Sequence, residues 1–107
     1  MADSRVAVPG KIVRGQPFEV RISIRHPMET GYRMDNAGKS IPRNVIRSFT
    51  CRYNGDLVFS AKLSSGIAAN PYLRFFLTAA DSGELVFEWV DDAGTRGSDH
   101  AAITVGG

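Results

Sequence analysis

From Phe18 to Arg25 the chain alternates apolar and polar residues without a break. Phe18, Val20, Ile22 and Ile24 hold one parity; Glu19, Arg21, Ser23 and Arg25 hold the other. Successive side chains of a strand point to opposite faces, so this run buries one face and wets the other. A helix would scatter residues of one parity around its axis. The run, carried on to His26, therefore commits the chain to a sheet with one buried face, which is the habit of antiparallel sheets. Further strand-like runs are Arg5–Val8, Val45–Arg52, Leu57–Leu63, Leu73–Thr78, Glu84–Val90 and Ala101–Val105, separated by Gly and Pro. About seven short strands so punctuated predict an all-β fold, an immunoglobulin-like β-sandwich. With one cysteine, the disulfide of antibody domains is ruled out, and the expectation concerns architecture only.

The 107 residues are expected to form a single domain spanning 1–107, able to bury roughly two thirds of its unfolded surface. The net charge is only +2, and 13 basic residues are interleaved with 11 acidic ones, which argues against nucleic acid as a partner. No stretch approaches the roughly 18 apolar residues of a membrane span. The opening residues Met1 to Arg5 lack the charged-then-apolar design of an export signal, so the chain is expected to stay inside the cell or to travel with a partner.

The Asn54-Gly55 pair marks a hairpin. A two-residue loop there would mix core and solvent parities. A three-residue loop, Tyr53-Asn54-Gly55, pairs Cys51 with Leu57, Phe49 with Phe59 and Val45 with Leu63, and puts all of them on one face. Gly55 then takes the left-handed position beside a G1 bulge. This second register is the one expected.

Pro27 to Asn44 is an irregular connection of eighteen residues with no clear period, long for a compact domain. It either links two sheets or serves a use of its own, and His26, Met28, Tyr32, Arg33 and Met34 are its chemically interesting side chains. A second anomaly lies in the later strands. Phe76 is out of phase with Leu73, Phe75 and Leu77; Val86 and Val90 are out of phase with Leu85, Phe87 and Trp89; Val58 is off the core face of its hairpin. If these four share a sheet, its outer face is apolar and calls for cover by another chain.

No catalytic set is legible, and neither enzyme activity nor a cofactor is expected. Cys51 falls mid-strand on the core parity and reads as a small buried hydrophobe, because a reactive thiol needs access and a lowered pKa. His100 follows Asp99, but neighbours on a strand point to opposite faces and cannot form a triad. Asp91-Asp92-Ala93-Gly94 reads as a turn between the last two strands rather than a calcium loop. Gly106-Gly107 reads as a bare terminus. The alternative reading is a copper-binding β-sandwich using His26, Met28 and Met34, with His100 as a further candidate, since imidazole and thioether suit that metal.

Taken together, several segments resemble the SoxZ family, the Z subunits of the sulfur-oxidation carrier complex, over nearly the whole chain. They are Phe18 to Gly31 (FEVRISIRHPMETG), Ile41 to Asn44 (IPRN), Tyr53 to Gly55 (YNG), Gly66 to Phe75 (GIAANPYLRF) and Trp89 to Gly94 (WVDDAG). The resemblance implies an immunoglobulin-like sandwich that forms a heterodimer with SoxY. SoxY, on a flexible Gly-Gly-Cys-Gly-Gly tail, bears the cysteine that carries thiosulfate-derived sulfur while other Sox enzymes act on it transiently. It also implies a periplasmic complex exported on the partner's signal. Gly106-Gly107 does not match that tail, so the carrier role is not moved onto this chain. The expected partner interface comprises Val58, Phe76, Val86 and Val90, which would also allow self-association of the isolated chain. His26, Met28, Arg33 and Arg43 are expected near the partner's tail, the arginines facing an oxyanion adduct.

Overall fold

The computed structural model describes residues 4–63 and 69–106. The first residues of the Gly66 to Phe75 segment, Gly66 to Ala68, lie outside them. Nine strands lie among the described residues: β1 (Ser4–Ala7), β2 (Ile12–Val13), β3 (Phe18–Ile24), β4 (Ile46–Tyr53), β5 (Asp56–Lys62), β6 (Tyr72–Leu77), β7 (Gly83–Asp91), β8 (Arg96–Ile103) and β9 (Val105–Gly106). The alternating run became β3, with Phe18, Val20, Ile22 and Ile24 buried. It is the middle of a three-stranded antiparallel sheet ordered β1-β3-β6. A four-stranded antiparallel sheet runs β5-β4-β7-β8, and β2 pairs with β9 in parallel. The architecture is the expected all-β sandwich, with two short strands added to the seven read from sequence. One of them corrects a reading: Gly106 is not bare but pairs with Val13, while Gly107 lies outside the described residues.

The core lies between the two sheets. Phe49 on β4 sits within 6.1–6.2 Å, ring to ring, of Phe59, Phe75 and Phe87. Phe59 on β5 and Phe75 on β6 stack at 4.0 Å, joining the two sheets at one edge. Aromatic pairs of this kind add about 0.5–1.5 kcal/mol each beyond area burial. At the other edge β1 lies beside β8, and the Ser4 hydroxyl donates to Asp99 Oδ2 at 2.6 Å.

The hairpin register differs from the expected one. Asn54 and Gly55 both take positive φ, 48° and 90°, so they form a two-residue turn with Tyr53 opposite Asp56. That turn matches the strand twist, and Asn-Gly tolerates it. The parity conflict is removed by a bulge instead: the register shifts past Arg52, leaving Val58 as the extra residue, so Cys51 faces Phe59 and Phe49 faces Ala61. The apolar residues nearest the core keep one face, and the bulge leaves Leu57 and Val58 exposed. A second irregularity, between Ile46 and Ser48, lets both Ile46 and Phe49 point inward although they differ in parity.

Strand β8 begins at Arg96, five residues before the expected Ala101. Gly97 stands opposite Trp89, and a Cβ there would come within 2.3 Å of the indole nitrogen, so the tryptophan lies where only glycine leaves room. Asp91 to Gly94 does form the turn joining β7 and β8: Gly94 N–H donates to Asp91 O at 3.0 Å.

Candidate functional site

The connection from β3 to β4 links the two sheets, but it is less irregular than expected. Glu29 and Asn44 exchange backbone hydrogen bonds of 2.9 and 2.8 Å, Ile41 N–H donates to Arg33 O at 2.8 Å, and Met34 bridges Ser40. Asp35 closes the tip, its Oδ1 accepting from the backbone N–H of Ala37 and Lys39. Residues 27 to 44 thus form a hairpin-like arm whose outer part, Tyr32 to Ser40, is exposed. Tyr32 is 90% and Met34 64% exposed.

The base of this arm is locked from inside. His26 is buried, and its backbone N–H donates to Asn70 Oδ1 at 3.0 Å while Asn70 N–H returns a 2.7 Å bond to His26 O. Imidazole Nδ1 accepts from Met28 N–H at 2.9 Å. That places the ring proton on Nε2, which donates it to Asp91 Oδ2 at 3.1 Å. Met28 takes a left-handed φ of 50°, and its buried sulfur accepts from Ile46 N–H at 3.3 Å. Burial pushes the Asp91 carboxyl up, but hydrogen bonds from His26, from Thr95 N–H and from Asn44 outweigh it and hold Asp91 below the ordinary carboxylate value. His26 and Met28 are thus both buried and hydrogen-bonded at the base of the arm.

The two arginines expected to face an oxyanion are both held by carboxylates. Arg33 pairs with Glu29, whose pKa its hydrogen bond lowers, and Arg43 Nε lies 3.3 Å from Asp92 Oδ2. The residues proposed for copper are not brought together: His26 and Met28 are consumed in the core, Met34 is out on the arm, and His100 lies on the exposed side of β8, 3.4 Å from Glu84. Among the described residues no group of three or more His, Cys, Asp or Glu is placed to hold a metal. Cys51 is wholly buried, and burial pushes its thiol up to about 11. Asp91 and Asn70 were missed as partners of His26; the shared habit of ending at proline, His26-Pro27 and Asn70-Pro71, was the available signal.

The expected interface residues divide into two places. Phe76 belongs to the three-stranded sheet, whereas Val86 and Val90 belong to the four-stranded one, so the single apolar face expected from sequence does not exist. Val86 and Val90 are half-buried in the middle of their sheet's outer face, between β4 and β8. Val58 and Phe76, 37% and 60% exposed, face one groove. They line an open groove of about 420 Å³ with Pro17, Leu77 and Thr78, between the edge strands β5 and β6 of the two sheets.

By fold, then, the molecule is a small all-β sandwich with a sealed thiol and an apolar groove along one open edge. The chain belongs to the SoxZ family: the family described as sulphur oxidation protein SoxZ matches residues 6–102, which makes the chain a component of the Sox sulfur-oxidation system. No curated protein matches it in sequence. Among solved structures it is similar to the superoxide reductase (neelaredoxin) from Ignicoccus hospitalis, at TM-score 0.72 and 22% identity, over 96% of this chain and 80% of that one. It is also similar to the sulfur carrier protein SoxY from Chlorobium limicola f thiosulfatophilum, at TM-score 0.65 and 11% identity, over 96% of this chain and 78% of that one. At these identities the likeness is one of fold.

Proposed function

We propose that this chain is the non-catalytic subunit of a heterodimeric sulfur carrier, scaffolding a SoxY partner whose own cysteine bears the covalent thiosulfate-derived intermediates. The observation that carries this reading is the state of Cys51. A carrier thiol must reach its enzymes as a thiolate, and a sulfur sealed between Phe49, Phe59 and Phe87, with its pKa near 11, meets neither need. Within this family, the reacting thiol then has to come from a second chain. The reading puts the complex in the periplasm, exported with the partner, where other Sox enzymes visit it transiently.

The groove at Val58 and Phe76 supports a stable pairing. It is apolar, open, and flanked by strands at the edges of their sheets, the places where a partner strand can add. Leu57, the neighbour of Val58 on β5, is also exposed, at 53%. A lasting interface needs about 800 Å² per side, with large apolar anchors near its centre, and Phe76 is the natural anchor. Unpartnered, the same edge favours self-association.

The test is to tag the chain, purify it from its native cells grown on thiosulfate, and weigh what copurifies with and without reductant. A stoichiometric second subunit that loses a sulfur-containing adduct on reduction supports the carrier reading. A lone, unmodified chain overturns it. Replacing Phe76 with Glu should lower recovery of the partner at least tenfold; full recovery would remove the groove from the interface.

A further inference from the structure

The basic part of the three-stranded sheet's outer face was not singled out by sequence, because its residues lie on three strands far apart in the chain. Register brings them together. Arg5, Ser23 and Tyr72 form one cross-strand row; Ala7, Arg21 and Arg74 form the next; Glu19 and Phe76 form a third. The small Ala7 and Ser23 leave a shallow depression of about 220 Å³ between Arg5, Arg21 and Tyr72. Arg5, Arg21, Arg74 and Tyr72 are all exposed.

This face is basic out of proportion to the molecule. It holds three guanidiniums and one carboxylate, against 13 basic and 11 acidic residues in the chain as a whole. Glu19 is shared, 3.2 Å from Arg21 and 3.3 Å from Arg74. Arg5 has no ion pair among the described residues. Arg33 and Arg43, by contrast, each have a carboxylate of their own.

From this placement we infer that the Arg5, Arg21, Arg74 and Tyr72 end of the outer face of β1-β3-β6, beside the Phe76 groove but outside it, is a transient docking surface for an acidic patch on a folded protein partner. The inference rests on the carrier reading, in which the complex must be met and released by separate enzymes. Charge complementarity selects the occupant. A permanent interface strips water from its centre, and three guanidiniums with one carboxylate among them would each need a matched partner there or carry a large desolvation cost. An exposed basic face instead accelerates encounter and lets the partner leave. Arginine and tyrosine supply contact area together with charge and hydrogen bonding. A nucleic acid is the poorer occupant, because Glu19, beside both Arg21 and Arg74, would oppose a uniform polyanion.

The experiment uses the complex as purified, with Arg5→Glu/Arg74→Glu in this chain. Thiosulfate-dependent turnover in the reconstituted sulfur-oxidation reaction is measured at limiting carrier over a range of salt, and native mass spectrometry checks that the complex is intact. The expected result is a fall in turnover of about tenfold or more at low salt, narrowing as salt screens the wild type. Arg5→Lys/Arg74→Lys, which keeps the charge, is expected to retain turnover within about twofold. Unchanged turnover of the reversed variant, with the complex intact, overturns the inference and leaves the carrier reading standing. Dissociation of the reversed complex also overturns it, by making the face a permanent interface. Wild-type complex without turnover overturns both. Duplex DNA bound by the complex at about 150 mM salt would overturn the assignment to a protein.

Discussion

Cys51 offers the sharpest quantitative test. Its side chain is fully buried on β4, and desolvation moves its pKa from an ordinary 9.0 to about 11. At pH 7 the thiolate fraction is then about 1 in 10,000, against about 1 in 100 for an ordinary thiol, a hundredfold loss before access is considered. Access imposes the stronger limit. If the sulfur meets reagent only when the sandwich opens, and opening costs at least the roughly 5–6 kcal/mol typical of the least stable small domains, labelling slows by about 10⁴. The two factors do not multiply, because the opened chain recovers an ordinary pKa. With Cys51 wholly buried the direct route is closed to reagent, so opening sets the rate. Reaction with a chromogenic aromatic disulfide, followed in buffer and in denaturant, should show a rate ratio of about 10⁴ or greater. Cys51→Ala should leave thiosulfate turnover of the complex within about twofold. Stoichiometric labelling of the folded chain within seconds, or loss of turnover in the alanine variant, would refute both the burial of this thiol and the need for a second chain.

Asp91→Ala removes the acceptor for His26 Nε2–H and Thr95 N–H, and buried donors left unpaired cost about 1–3 kcal/mol each. For a domain of this size the melting temperature should fall by about 10 °C or more, read from the single Trp89; a fall of under about 2 °C would mean the lock at the arm's base carries no stability. The Asp91 carboxyl is held below 3.8, so the unfolded chain takes up this proton first as the pH drops. Its contribution is complete above the unfolded value and is lost as acid passes through the folded one. Urea midpoints should therefore fall as the pH drops below about 5, and less steeply in Asp91→Asn; identical slopes would exclude Asp91 as a source. Gly97→Val drives a branched side chain into the Trp89 indole and should cost about 1–3 kcal/mol with a shift in tryptophan emission; an unchanged urea midpoint would show that the ring has room to move.

Parts of the site were legible for a plain reason. Parity is a local property: in β3 it put Val20, Ile22 and Ile24 inside, and in β6 it put Phe76 outside. Cys51 lay between Phe49 and Tyr53 in the same phase, so its burial could be read directly, as could the turn at Asp91 to Gly94. The hairpin failed because a bulge adds one residue at little local cost and no composition marks it. Val58 gives no sign of being the extra residue. Arg96 to His100 were not read as strand because their inward positions, Gly97 and Asp99, are not apolar; what fills the space at Gly97 is Trp89, seven residues upstream of Arg96.

The order of residues already specifies a sandwich of alternating strands, a thiol in the core, and the motifs of the SoxZ family. Each of these follows from the order of neighbours along the chain. Which strands share a sheet was decided only by the tertiary structure. It separated Phe76 from Val86 and Val90, set it with Val58 along one open groove, turned His26 inward to Asp91, and gathered Arg5, Arg21 and Arg74 on one face. The physical reason is that strand pairing spans dozens of residues and is chosen by the packing of the whole core, whereas a two-residue period records only which way each side chain points.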